Sequence, residues 1–201
     1  MRGFFLGLLL GLLALPLAAT FYLYYGHVPV AVDDPAFPSE RQIVHVPMDA
    51  RIHHEMPQST PLEPSPANLL LGAQVYREQC ASCHGLYGRD SSFAAHMYPD
   101  APQLWAPHGN NVVGVSDDPP GETYWKVKNG IRLSGMPGYA KVLNETQMWQ
   151  VTVLLAHANQ PLPDPVLSLL KQPIRPEAIV PPVHPQETHL PASALDPPPT
   201  Q

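Results

Sequence analysis

Proline sets the first limit on what this chain can fold into. Of its 201 residues 27 are proline, and each one fixes φ and removes a backbone donor, so proline is poorly tolerated inside helices and central strands. Their placement is uneven: they recur every few residues from 26 to 66 and again from 161 to the end, with a comparatively proline-poor stretch between. The pattern predicts a folded unit of about 95 residues between two arms. The expected divisions are 1–25, an extended arm over 26–64, part of which could dock on the domain or on a neighbour, a folded domain over 65–160 and a tail over 161–201, with one or two helical turns over 167–171 and 176–201 disordered or laid over a partner. A unit that small buries only a modest core, so a metal, a disulfide or a large apolar cofactor has to help hold it.

Charge narrows the choice of partners. The formal net charge is −6, with 11 basic residues and no run of them. A nucleic-acid partner needs a cationic stripe, so none is expected. Most of the negative excess lies in the arms.

Residues 3–25 are apolar, broken only by small residues, Pro16 and Thr20. At about 1.5 Å per residue this is enough for a transmembrane helix. A cleaved signal peptide, cut near Ala18 or Ala19, is the competing reading, but its apolar part would be shorter. Here the apolar character continues through Phe21, Tyr22, Leu23, Tyr24 and Tyr25, and tyrosine suits the membrane–water boundary. Arg2 is the only charge at the start of the segment. It is expected to stay inside, so that everything after Tyr25 lies outside.

The only two cysteines are Cys80 and Cys83, with His84 directly after them. Cys-x-x-Cys-His is the attachment sequence for c-type haem. Two intervening residues let one helical turn present both sulfurs to one edge of a porphyrin, and the adjacent imidazole points at the iron. A structural zinc site wants four ligands and normally shows a second cysteine pair, which the chain lacks. A thioredoxin-like dithiol expects a strand before it, and a plain disulfide leaves His84 and the small core unexplained.

Helices are expected around the motif. Ser65 caps a segment over 65–80 with Pro66 at its first position, and Leu69, Gly72, Ala73, Tyr76 and Cys80 share one face. Gly72 costs about 1 kcal/mol against alanine in a helix, which close approach by another helix would offset. The expected partner runs over 145–158, where Asn144 and Gln147 form a capping-box pattern and Met148, Val151, Leu155 and Ala158 make a stripe. A third helix is expected over about 122–129, with Asp117 and Asp118 before Pro119 and Pro120 as an anionic, proline-marked start and Asn129-Gly130 as its stop. The loop Ile131-Arg132-Leu133-Ser134-Gly135-Met136-Pro137-Gly138-Tyr139 follows it.

These features resemble a class I c-type cytochrome of the small bacterial kind. Gly72 and Tyr76 lead into Cys80-Ala-Ser-Cys-His84, a helix ending Val127-Lys128-Asn129-Gly130 leads to Gly135-Met136-Pro137-Gly138, and an aromatic-bearing helix closes the unit. The resemblance covers about 68–159. It implies an all-α, small cytochrome c fold of three to four helices around one haem c, here with an N-terminal transmembrane helix and proline-rich arms. It also implies haem c held through Cys80 and Cys83, with His84 and Met136 as the iron's two axial ligands. Methionine is a soft, neutral ligand that raises the reduction potential, and Pro137 restricts Met136 to extended backbone. Met97, His96 and an open sixth position are the alternatives at the distal site. Trp105, Arg132 and Tyr139 are candidate donors to the haem carboxylates.

The expected function is one-electron transfer on the periplasmic side of a bacterial inner membrane. The chain would act as a carrier or as the cytochrome subunit of a respiratory complex, working with redox partner proteins and not as an enzyme itself. An open-iron haem sensor or a peroxidase-like enzyme is the alternative. His45, His53 and His54 with Met48 and Met56 read as scattered surface residues of the arm more readily than as a copper site.

Overall fold

The computed structural model describes residues 2–174. Among them there is no strand; seven helices and one 3-10 turn make up the regular structure. α1 (Arg2–Tyr25) is a continuous apolar helix despite Pro16 in its interior. Its Gly7–Tyr25 window has a mean hydropathy of 1.8, none of it is buried, and it is long and apolar enough to cross a membrane.

The domain is framed by α3 (Pro66–Gln79) and α6 (Glu145–Ala156), both started by the predicted caps. The Ser65 hydroxyl accepts from Asn68 N–H at 3.3 Å, with Pro66 in the first turn. The Asn144 side chain accepts from Gln147 N–H at 2.9 Å, and Asn144 N–H donates back to the Gln147 side chain at 3.0 Å. The two helices cross at Gly72. A Cβ there would run into the backbone carbonyl of Gln150, so the glycine expected to permit a close approach does so.

Around this crossing Leu69, Ala73, Tyr76, Val151 and Leu154 are almost fully buried. α5 (Pro120–Asn129) packs against α6, where Tyr124 stacks on Trp149 with centroids 4.1 Å apart. α5 begins at Pro120, two residues before the expected start, because proline is suited to a first helical position. The short helix α4 (Ala81–His84) carries the cysteine motif and follows α3 directly.

Both arms hold more regular structure than an extended chain, and the first docks on the domain. The segment 26–64, expected to be extended, contains α2 (Glu40–Glu55). Only Pro47 interrupts this stretch, and Glu40, Arg41, Gln42, Ala50 and Arg51 are good helix formers. The end of α2 docks on α5: Ile52 is buried, Trp125 Nε1 donates to Glu55 Oε2 at 2.9 Å, and the Pro57 carbonyl fills the space beside Gly121.

The tail was expected to begin at 161, with one or two helical turns over 167–171. A helix does form there, starting three residues earlier as α7 (Asp164–Lys171), and it packs on α3, burying Val166 and Leu170 completely. Arg77 of α3 reaches across to the carbonyls of Leu169, at 2.8 Å, and Gln172. The cause is amphipathic spacing: Val166, Leu169 and Leu170 lie on one side of α7, a pattern that the surrounding prolines obscure. The expectation that 176–201 is disordered or laid on a partner lies outside the described residues.

Overpacking of a rigid helix crossing costs roughly 1–3 kcal/mol. Gly72→Ala should therefore lower the thermal midpoint of the full chain by roughly 5–15 °C. Leu71→Ala, at a position 44% exposed on the next residue, should move it by less than about 3 °C. Circular dichroism at rising temperature reads both.

Candidate functional site

α3 leads straight into the motif. Cys80 N–H donates to the Tyr76 carbonyl at 2.8 Å, and the Cys80 carbonyl accepts from Cys83 N–H at 3.1 Å and His84 N–H at 2.9 Å. One tight turn therefore carries both thiols and the imidazole. Both cysteines are half-buried and neither is in a disulfide. Burial, with the charge of Cys83 beside it, pushes the Cys80 thiol up to about 12. The Tyr76 hydroxyl donates to the Gly85 carbonyl at 2.8 Å, with the His84 carbonyl at 3.1 Å. This buried aromatic thus ties the end of the motif back to α3.

His84 Nδ1 lies 2.8 Å from the Pro102 carbonyl. A carbonyl only accepts, so Nδ1 carries the proton and Nε2 is left with its lone pair for a metal. Burial pushes the imidazole below its ordinary 6.5, with the Pro102 bond opposing. The side chain is therefore neutral near pH 7, as a ligand must be. Pro102 has no side-chain signature for this task, which is why the sequence did not disclose it. The segment is held by Gln103, whose Nε2 donates to the carbonyls of Cys83 at 3.1 Å and Ala101 at 2.9 Å.

Met136 lies in the loop after α5, half-buried against the core. Its backbone is fixed on both sides: Met136 N–H donates to Ser134 Oγ at 3.1 Å, and its carbonyl accepts from Ile131 N–H at 3.1 Å. The loop folds back on α5 through Tyr139 N–H to the Val127 carbonyl at 2.9 Å and Ala140 N–H to the Lys128 carbonyl at 3.2 Å. The Tyr139 hydroxyl donates to the Gln79 carbonyl at 2.7 Å. Burial first, then the charges of Cys80 and Cys83, push that phenol up to about 12. Tyr139 therefore brings the Met136 loop beside the cysteine motif. Within the loop Leu133 has φ +63°, a left-handed conformation that costs an L-residue about 1–2 kcal/mol.

The other sequence candidates divide. The indole N–H of Trp105 is buried with no hydrogen-bond partner, and its ring stands edge-on to Tyr76 at 5.7 Å. Tyr139 has already committed its hydroxyl, and Arg132 is exposed. His96 is exposed and Met97 half-buried. His53 and His54 sit edge to face on α2, and among the described residues no group of three or more His, Cys, Asp or Glu is placed to hold a metal ion.

Residues 67–155 match the family model described as Cytochrome C oxidase, cbb3-type, subunit III. The matched segment is a cytochrome c domain. No curated protein and no solved structure matches the chain. The domain implies haem c, an electron-transfer role, and two cysteines spaced for covalent attachment. The residues present fit that group. Two thiols outside any disulfide share a turn, an imidazole has one nitrogen committed and one available, and the buried indole N–H, beside the Tyr76 hydroxyl but with no acceptor at hydrogen-bond geometry, could donate to a haem carboxylate.

The depressed His84 value fixes a pH dependence. The unfolded chain binds the proton more readily than the folded one, so the stabilisation is full above about 6.5 and is lost as pH falls through the folded value. Made without haem, the full chain should show a urea midpoint that drops when pH is lowered from about 7.5 to about 5, because Nε2 is then free to take up the proton. A flat profile would contradict the neutral, Nδ1-protonated imidazole.

Proposed function

We propose that this chain is a membrane-anchored, single-haem electron-transfer protein of the periplasmic face, with His84 and Met136 as axial ligands and Cys80 and Cys83 as the attachment points. The observation that carries the proposal is the His84 Nδ1–Pro102 bond, which leaves Nε2 available within the turn that bears both thiols. Haem c, once attached, supplies an iron that gains and loses one electron.

The chain's own residues set the conditions for that exchange. His84 enters as a neutral donor, and the bond to Pro102 keeps its ring in one orientation. Met136 supplies a soft thioether from a loop fixed at both its backbone N–H and carbonyl, so little rearrangement accompanies a change of charge. Its thioether favours the reduced iron and raises the potential. Trp105 offers its free N–H to a carboxylate, which removes the cost of burying an unpaired donor. Tyr76, Trp149 and Leu154 exclude water from the interior side.

Met136 is favoured over Met97 because its position is over-determined, whereas the Met97 methyl is turned into the space beside Gly135. α1, with Arg2 at its start, supports a single pass that leaves the domain outside. The matched family's description as an oxidase subunit, together with two arms that fold onto the domain, supports a station fixed in a respiratory complex over a freely diffusing carrier.

Met136→Ala decides the ligand. The variant should lose the methionine-to-iron charge-transfer band of the oxidised protein, lower the potential and bind carbon monoxide when reduced. A variant that keeps the band and the potential would show that Met136 is not the ligand. An unaltered chain that already binds carbon monoxide readily would favour an open-iron sensor or peroxidase-like enzyme. Mild detergent extraction followed by size measurement separates a complex subunit from a lone carrier.

A further inference from the structure

The segment between the cysteine motif and Pro102 does more than deliver an acceptor to His84. It starts on the motif: the Ser91 hydroxyl donates to the Ser82 carbonyl, and Ser91 N–H donates to Gln103 Oε1 at 2.6 Å. It ends at Pro102 under the imidazole. Midway it crosses to the other ligand's loop, where the terminal methyl of Met97 occupies the space in which a Cβ of residue 135 would stand. Gly135 does not have a left-handed φ, so its lack of a side chain serves close approach and not backbone conformation. The neighbouring residues are Ser134, which binds Met136 N–H, and Met136 itself. Leu133, held left-handed and 85% exposed, lies two residues before Gly135. A loop in that state relaxes when a contact holding it is removed.

We propose that Met97 is a positioning residue: its methyl, seated on Gly135, clasps the Met136 loop to the His84 segment and keeps the Met136 sulfur on the iron against exogenous ligands. This rests on Met136 being the axial ligand. Met97 acts here by packing and not by its sulfur, so leucine should replace it and alanine should not.

The test uses the full, haem-loaded chain and imidazole as the probe. Imidazole titrations of the oxidised protein follow loss of the methionine-to-iron band, with thermal unfolding recorded in parallel. Met97→Ala should bind imidazole about tenfold more tightly than the unaltered chain, because the state with the sulfur displaced becomes more populated. Met97→Leu should stay within about twofold, and so should Phe93→Ala, an exposed residue of the same segment. Gly135→Ala, whose Cβ would push the movable end of Met97 off its seat, should tighten imidazole binding in the same direction by a smaller factor, and combining the two should add little beyond Met97→Ala. Should Met97→Ala not accumulate as folded protein, Gly135→Ala carries the test alone.

An unchanged imidazole affinity in Met97→Ala or Gly135→Ala would overturn the proposal, as would Met97→Leu behaving like alanine. Loss of the band in Met97→Leu without imidazole would make Met97 the ligand itself. If the unaltered chain has no such band, the Met136 assignment fails before Met97 is tested.

Discussion

The contact of Gly72 with the Gln150 carbonyl governs how the rest of the domain is arranged. It lets two helices approach closely enough for Tyr76, Leu69, Val151 and Leu154 to share one dense core. With so few residues to bury, the domain cannot leave that crossing loose. Because α3 runs directly into α4, the crossing also fixes where the two thiols and the imidazole stand. α7 reinforces the outer side of α3 through Val166, Leu170 and the reach of Arg77 to its last turn. The same helix that forms the core therefore aims the site.

Main-chain carbonyls do most of the positioning around that site. Pro102 orients His84, Gln79 holds Tyr139, Gly85 receives Tyr76, and Cys83 receives Gln103. A carbonyl fixed by its chain needs no side-chain entropy to be held in place, so loops built this way are stiff without being helical. Stiffness suits an electron-transfer centre, where the geometry around the iron should change little between two oxidation states. Trp105 is the exception: its N–H is buried with no acceptor at hydrogen-bond distance and angle, and a haem carboxylate would supply one.

The arms change how the molecule is understood. An extended tether would let the domain roam from its membrane helix, yet the Trp125–Glu55 bond and buried Ile52 pin the end of α2 to α5. The tether that remains flexible in principle is then shorter than the proline count suggests. The Met97–Gly135 contact shows the same economy within the domain, where one segment touches both the His84 turn and the Met136 loop.

The sequence alone determined the features that depend on local chemistry. These are the caps at Ser65 and Asn144, the proline start near 120, the apolar run of α1 and the Cys80-x-x-Cys83-His84 turn. Each is encoded by residues a few positions apart, whose hydrogen bonds or hydrophobicity act over one or two turns. Tertiary structure decided what no spacing encodes. The acceptor for His84 is a carbonyl 18 residues away, and any residue type offers a carbonyl. α2 was hidden and α7 legible only as a turn or two, because flanking prolines dominate the local signal, while burial of Ile52, Val166 and Leu170 against α5 and α3 supplies the stability that propensity lacks. Gly135 looked like part of a turn, and only the packed chain shows that the terminal methyl of Met97, from the other side of the motif, lies against it.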